Sequence, residues 1–561
     1  MKFMRIGTRP DSFYTEEATR TVTSDLPVDL IIQINKISYL LHKHQLLPKC
    51  CLLQRLCLES ENFDESGAVS LNLHDFPGGK EAFELCAKFC YGIMIDLGAH
   101  NIVAALSAAK FLQMTEAVDK GNLVLKLETF FNSCILEGWK DSVVTLQSTA
   151  KLPEWSENLG IIRRCIDSII QKILTPCSKV AWSFTYTRPG YARKRRQHVP
   201  KDWWTEDIAE LDIDTFRCII TAVRSANMLP PQLIGEALHV YTCRWLPDHI
   251  KALNPESSST ARTEKSMERK QRILETISST VPPEKGSVST GFLFRLLSMA
   301  NLLGLSPVTK ADLIRRCSLQ LEEATVNDLL FPSQSSTNSR FYDVELVGAV
   351  VESFLVRWRR QTREDERQSM ALIQKVGKLV DCYLQVVARE VNMPVGKLVS
   401  LAKALPEFAR PVHDDLYKAI DIYLKVHPDL GKEDKKSLCR ILNCQKLSPE
   451  VSAQAVMNEH LPLRTVVQVL FFEQERSSRP TSHKLPPQNL ILNRQRPVST
   501  GGDDMSNLKL SWDEKLQLER KQEDVEKEKG RVSKAEGTSG SKLDPSKMLQ
   551  MRSKSDKGRT R

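Results

Sequence analysis

The chain is 561 residues long, 41% hydrophobic and 26% charged, with a net charge of +10, the make-up of an ordinary soluble protein of two or three domains plus tails. No apolar run reaches the 18 residues a membrane helix needs, and the opening MKFMRIGTRPDSF has neither the apolar core nor the small-residue cleavage site of a secretory signal. The charge is lopsided: from Gln474 to Arg561, 20 lysines and arginines face 13 acids, a net +7, so the remainder is close to neutral and argues against a folded domain devoted to nucleic acid.

Residues 1–24 read as an N-terminal extension and residues 25–135 as an α+β domain. VDLIIQI (28–34) and ISYLL (37–41) are β-rich runs separated only by Asn35 and Lys36. A two-residue link with asparagine, which tolerates positive φ, predicts a hairpin. HKHQLLPKCCLLQRLCLES (42–60) turns helical, with Leu46, Leu53, Leu56 and Cys57 near one face. His42 and His44 flank that strand–helix junction. SLNLHDF (70–76) alternates as a third strand until PGG (77–79) breaks it, and KEAFELCAKFCYG (80–92) and HNIVAALSAAKFLQM (100–114) carry apolar residues at helical spacing. Sheet first and helices after is an α+β order.

From Trp139 the strand signal stops. WKDS (139–142), LPEWSENL (152–159) and IIRRCIDSIIQKIL (161–174) predict helices, and residues 136–199 form a helical connector whose end is turn-rich and basic, with RKRR at 193–196. PKDWW (200–204) follows. Adjacent indoles point different ways, so Trp203 and Trp204 both bury only where the segment is packed on two sides. Each can withdraw ~150–250 Å² from water, roughly 4–6 kcal/mol before entropy is subtracted. The stretch therefore reads as an anchor between two structural units; a ligand or nucleic-acid site built on the indoles, with Trp203 and Trp204 as partner-binding residues, is the alternative.

Residues 200–475 read as an all-α array. Phe216, Ile219, Ile220 and Val223 form one helix face; Ile234, Leu238, Tyr241 and Trp245 another; Val344, Val347, Val351, Phe354 and Trp358 a third; and Ile373, Val376, Val380, Leu384, Val387 and Val391 a fourth. Pro231, Pro307, Pro394 and Pro449 each open a helix, where a fixed φ helps and the missing N–H costs nothing, and Ser306 and Ser448 are placed to cap. Two Ser/Thr- and charge-rich stretches, 256–271 and 333–340, read as mobile loops. Residues 476–561 read as a disordered, basic, partly helical tail. Leu508, Leu510, Leu516 and Leu518 allow a short coiled coil there, but the pattern fades after Val525.

Fourteen cysteines sit inside apolar segments of a signal-less chain, which favours reduced, mostly buried thiols. Cys86 and Cys90 share a helix face, but no second ligand pair follows at zinc-site spacing. We expect no metal and no cofactor. Phosphate-binding loops, nucleophile elbows and the zinc-protease and kinase signatures are absent from the sequence, and we expect no catalytic residues.

HDFPGG, AKFCYG and AAKFLQMTE, in that order of elements, resemble a BTB/POZ domain of the form carried by the plant non-phototropic hypocotyl (phototropic-response) family. PKDWWTEDIAELDIDTF (200–216), RWLPD (244–248), LYKAIDIYLKVHPDL (416–430) and SLCRILNCQKLSPEVSAQAVMNEHLPLRTVVQVLFFEQ (437–474) are similar to family motifs nearly word for word, and the likeness covers roughly residues 1–475. The resemblance implies a homodimerising BTB domain that meets cullin-3; Phe76, Met114 and Glu116, at the expected positions of exposed loops, are the candidate contacts. It also implies a helical domain that selects a substrate protein, and phosphorylation at Tyr423.

A substrate adaptor of a cullin-3 RING ubiquitin ligase in light or auxin signalling is thus the leading expectation. A plasma-membrane scaffold without ubiquitin transfer is the second; a nuclear nucleic-acid-associated regulator, resting on RKRR and the basic tail, is the third. The tail's charges suit an anionic membrane surface, and Ser499 and Ser555, each three residues after an arginine, are candidate phosphorylation sites that would weaken such attachment. The ending RSKSDKGRTR loosely resembles the arrangement by which 14-3-3 proteins are recruited. The expected location is the cytoplasm, with peripheral plasma-membrane attachment.

Overall fold

A computed structural model describes residues 1–60, 67–188, 199–246, 260–332, 342–361 and 366–478. Its strands are β1 (Phe3–Ile6), β2 (Phe13–Glu16), β3 (Thr19–Val22), β4 (Leu30–Ile34), β5 (Ile37–Leu41), β6 (Val69–Asn72) and β7 (Ile95–Gly98). β1 and β7 form an antiparallel pair, with Phe3 opposite Gly98 and Ile6 opposite Ile95. The other five lie in the order β2-β3-β5-β4-β6, with β3–β5 and β4–β6 parallel. The first 24 residues, set apart in the sequence as an extension, supply three of these strands.

The β4–β5 hairpin forms where expected: Asn35 adopts φ 53° and Ile34 sits opposite Ile37. The pleat then sends Leu30, Ile32 and Ile34 inward while Gln33 faces out. Helices Gly79–Cys90 and Ile102–Phe111 supply the rest of this core, with Phe83 set edge-on to Tyr39 at 4.8 Å and to Phe76 at 5.5 Å. Gly78 permits their close approach. At φ 80° it opens the first helix, and a Cβ there would lie 2.6 Å from the Ala82 Cβ and 2.9 Å from that of Ala104.

Polar contacts hold the N-terminal strands against the helices. Arg20 on β3 grips Glu84 through two bonds of 3.0 and 2.7 Å. Burial opposes ionisation of Glu84, but hydrogen bonds from Arg20 and Lys88 keep its carboxyl below the usual range. His42 pins the strand–helix junction: its backbone N–H donates to the Tyr91 hydroxyl at 2.9 Å and its Nε2–H to the Leu26 carbonyl at 3.0 Å. The helix expected across 42–60 is two, Lys43–Leu46 and Cys51–Glu59, parted around Pro48.

After β7 the described chain is helical, with short extended links. Residues 260–271, read from their polarity as loop, belong to the helix Thr260–Thr280, whose later turns bury Ile273, Leu274 and Ile277. Residues 264–269 are exposed, and the helix is anchored by its end; residues 256–259 and 333–340 lie outside the described residues. Val391, assigned to an apolar face, is 71% exposed because its helix, Glu366–Val387, stops short of it. Pro231, Pro307 and Pro449 occupy the first helical position, whereas Pro394 sits one residue earlier, at the cap. Ser306 and Ser448 do cap, accepting the N–H of Thr309 at 3.2 Å and of Val451 at 3.3 Å. No described helix is long and apolar enough to cross a membrane.

Candidate interaction surfaces

The tryptophan pair is a buried seam. Trp203 is 1% exposed and Trp204 0%. Around Trp203 stand Trp139 at 4.6 Å, Phe184 at 5.5 Å and Trp182 at 5.6 Å between ring centroids. Beneath them the buried carboxylate of Asp207 accepts the Trp139 indole N–H at 2.6 Å and the Thr185 backbone N–H at 3.1 Å. Arg188 closes the seam, bonding Asp202 and Glu236 at 2.8 Å each. Residues 180–188, the helix Trp139–Ser148 and the start of the helical array are thus locked together. Both rings are enclosed, as a packed seam requires, and neither is accessible for the alternative of a site built on the indoles.

Two of the three expected BTB contacts are also buried. Phe76 is 5% exposed, edge-on to Phe83 and Phe111, and Met114 is 0% exposed. Both segments bend, but their apolar side chains turn inward to fill the core. Glu116 is exposed, and one carboxylate oxygen accepts the Gly121 N–H at 3.1 Å. Tyr423 is buried in the helix Asp414–Val426, its ring stacked on His427 at 3.9 Å. Its hydroxyl donates to the Met393 carbonyl at 2.6 Å. Ser499, Ser555, the RKRR cluster and the coiled-coil segment lie outside the described residues.

Two surfaces went unread in the sequence. On the helix Leu463–Ser478, Leu463, Val467, Leu470 and Phe471 are 79%, 54%, 48% and 61% exposed. Their spacing places them along one side, while Val469 anchors the opposite side at 1% exposure. A contiguous apolar strip of this kind marks an interaction surface more often than a solvent face. The signal was present in TVVQVLFF, which carries more apolar residues than one buried face requires. The second surface is a groove of about 580 Å³ between the helices Val344–Gln361 and Val395–Ala404. Gly348, Ala349, Gly396 and Ala404 leave it open, and Lys397 spans to Glu345 at 3.0 Å.

Ionic groups inside the array serve its architecture. Asp381 and Arg410, 4% and 6% exposed, meet at 2.8 Å, and Arg410 also donates to the Ala402 carbonyl at 2.8 Å. Burial pushes the Asp381 carboxyl up despite its partner. Among the described residues no cluster of histidine, cysteine and carboxylate ligands could hold a metal ion.

A model of the NPH3 family matches residues 202–452. The BTB/POZ domain-containing protein At5g47800 of Arabidopsis thaliana is 59% identical over 495 residues, 88% of each chain. The chain belongs to the NPH3 family. The phototropic-responsive NPH3 family protein NPY1 of the same plant is 39% identical over 85% of this chain and 82% of its own length. Root phototropism protein 3, also of Arabidopsis thaliana, is 35% identical over 84% of this chain and 77% of its own. No solved structure matches the chain. This NPH3-family chain therefore combines an N-terminal α+β BTB/POZ domain with a mostly helical family domain, and the two tryptophans lie at the first residues of the family match.

Proposed function

We propose that this NPH3-family protein is a non-catalytic substrate adaptor of a cullin-3 RING ubiquitin ligase acting in light or auxin signalling. In this reading the BTB domain forms a homodimer and meets the cullin, and the helical array holds the client. The observation that carries the proposal is the seam. An adaptor must present its client at a fixed distance from the ligase, and a buried aromatic cluster bound to Asp207 gives two modules one rigid geometry. The apolar strip at Leu463, Val467, Leu470 and Phe471 gives the array a surface on which a protein client can dock.

The test is binding of the full chain to a cullin-3 N-terminal fragment, with the chain's own mass measured in solution. A dimer that captures the fragment at micromolar concentration supports the proposal. A folded chain with no binding at on the order of tens of micromolar moves the function to a plasma-membrane scaffold. The net +7 between Gln474 and Arg561 favours that second reading, because each basic side chain near an anionic surface is worth about 1 kcal/mol. Co-sedimentation of the full chain with anionic but not neutral vesicles, abolished by high salt, supports it; equal sedimentation with both removes it.

A further inference from the structure

Two of the fourteen cysteines are exposed, Cys218 and Cys243. Cys243 lies in the last turn of the helix Pro231–Trp245, with its sulfur 3.6 Å from His239 Nε2 on the preceding turn. Arg295, from the neighbouring helix Thr290–Leu302, donates an Nη1–H to the same sulfur at 3.2 Å. Behind the imidazole, Glu236 lies 3.9 Å from Nδ1 and is itself held by Arg188 at 2.8 Å. Phe292 packs edge-on against the His239 ring at 5.2 Å and 87°. Steps of three and four residues bring carboxylate, imidazole and thiol onto one helix side in that order. The imidazole also borders an open cavity of about 700 Å³ with Glu236 and Phe292 on its wall.

This order of groups favours the charged forms of both thiol and imidazole. The contacts with Cys243 and Glu236 raise His239 to about 9. In turn His239, and after it Arg295, hold the Cys243 thiol below its ordinary range against the opposing effect of burial. Apart from Cys218, the other cysteines are buried or half-buried, and desolvation pushes Cys165, Cys317 and Cys439 the other way.

We infer that Cys243 is a reactive thiolate and a modification site for small hydroperoxides, with His239, Glu236 and Arg295 as its positioning residues. With hydrogen peroxide, the thiolate sulfur attacks one oxygen; an S–O bond forms, the O–O bond breaks, and hydroxide leaves. The sulfur gives up two electrons and the peroxide accepts them. The departing hydroxide takes the imidazolium proton of His239 and leaves as water, with Cys243 as a sulfenic acid. A small thiol then displaces water from that sulfur to give a mixed disulfide, which excess thiol reverses. Arg295 Nη2 donates to the Leu246 carbonyl at 2.9 Å, so the cation that faces the sulfur also secures the end of the same helix.

The experiment uses the reduced full chain, limited iodoacetamide, and peptide mass spectrometry of Cys243 and Cys218 between pH 5 and 9. Cys243 should react about ten times faster than Cys218 at pH 7, with the midpoint of its pH profile at lower pH. Hydrogen peroxide followed by dimedone should label Cys243 in preference to Cys218. His239→Gln should move the Cys243 profile to higher pH with the helical circular dichroism unchanged. Should that variant fail to fold, Glu236→Gln decides by the same readout, with a smaller shift in the same direction. Equal rates and equal profiles at the two cysteines, or a folded variant whose Cys243 profile superposes on the parent's, would overturn the inference.

Discussion

Asp207 accepts the indole N–H of Trp139 at 2.6 Å although 68 positions separate them. One residue lies in the helix that follows the BTB core, the other in the turn that begins the helical array. The bond is buried, and the same carboxylate oxygen also takes the Thr185 N–H. Replacing Asp207 with alanine leaves one buried donor, on Trp139, and one half-buried donor, on Thr185, unpaired, at a cost of about 1–3 kcal/mol. Trp203→Ala should cost about 3–5 kcal/mol through the cavity it opens. Denaturant unfolding of the full chain checks both, and limited proteolysis should show new cleavage close to the seam. An unchanged midpoint for Trp203→Ala would mean that the ring is not load-sharing in solution.

Tyr423→Phe tests the buried hydroxyl. The change leaves the Met393 carbonyl without its donor, and we expect a loss of about 1–3 kcal/mol, larger than a surface hydroxyl would give. The same burial makes the native chain a poor tyrosine-kinase substrate at this position. Phosphate incorporation at Tyr423 should therefore be far slower in the native protein than in a peptide spanning 416–430, and equal rates would show that this helix opens readily.

His413 gives the helical array an acid limit. It is 5% exposed, and its Nδ1 accepts the Asn443 N–H at 3.1 Å, a role that only an unprotonated Nδ1 can fill. Burial first, then Lys446 and Arg410, lower it to about 4, against opposing contributions from Glu407 and Asp414. The folded state thus favours the neutral ring. Its stabilising contribution is present above about 6.5, the unfolded value, and is lost as pH falls towards 4. Stability should drop by about 2 kcal/mol between pH 7 and 5 from this residue. Urea midpoints at both pH values check it, and His413→Asn, whose amide oxygen can take the place of Nδ1, should flatten that part of the profile.

Gly235→Ala probes close packing in the array. A Cβ on Gly235 would lie 1.9 Å from the Ser287 carbonyl oxygen, which is backbone and cannot swing aside. Separation of the helix from that segment should cost about 1–3 kcal/mol or more, read as a lower thermal midpoint. Gly348→Ala, where nothing lies within 4 Å of the added carbon, should be neutral or slightly stabilising by the helix propensity of alanine.

Local pattern was enough to read the β4–β5 hairpin from Asn35, the inward faces of the helices and the serine caps at Ser306 and Ser448. Each depends on residues a few positions apart, where backbone geometry alone sets what meets what. Long motifs such as PKDWWTEDIAELDIDTF carried the family. The sequence also required Trp203 and Trp204 to be packed on two sides, but the rings that pack there could not be read from it. Trp139, Trp182 and Phe184 reach Trp203 only because three separate segments converge.

The tertiary structure alone decided which bends face solvent. Phe76 and Met114 sit in turns, yet the core takes them because apolar side chains near a sheet lose more by staying wet than the backbone gains by exposing them. It also decided the polar partners of buried groups. The Tyr423 hydroxyl finds Met393 30 positions away, and Arg295 finds Cys243 52 positions away. Such pairs are fixed by how whole helices dock, an outcome of many small packing terms that no short window of sequence contains.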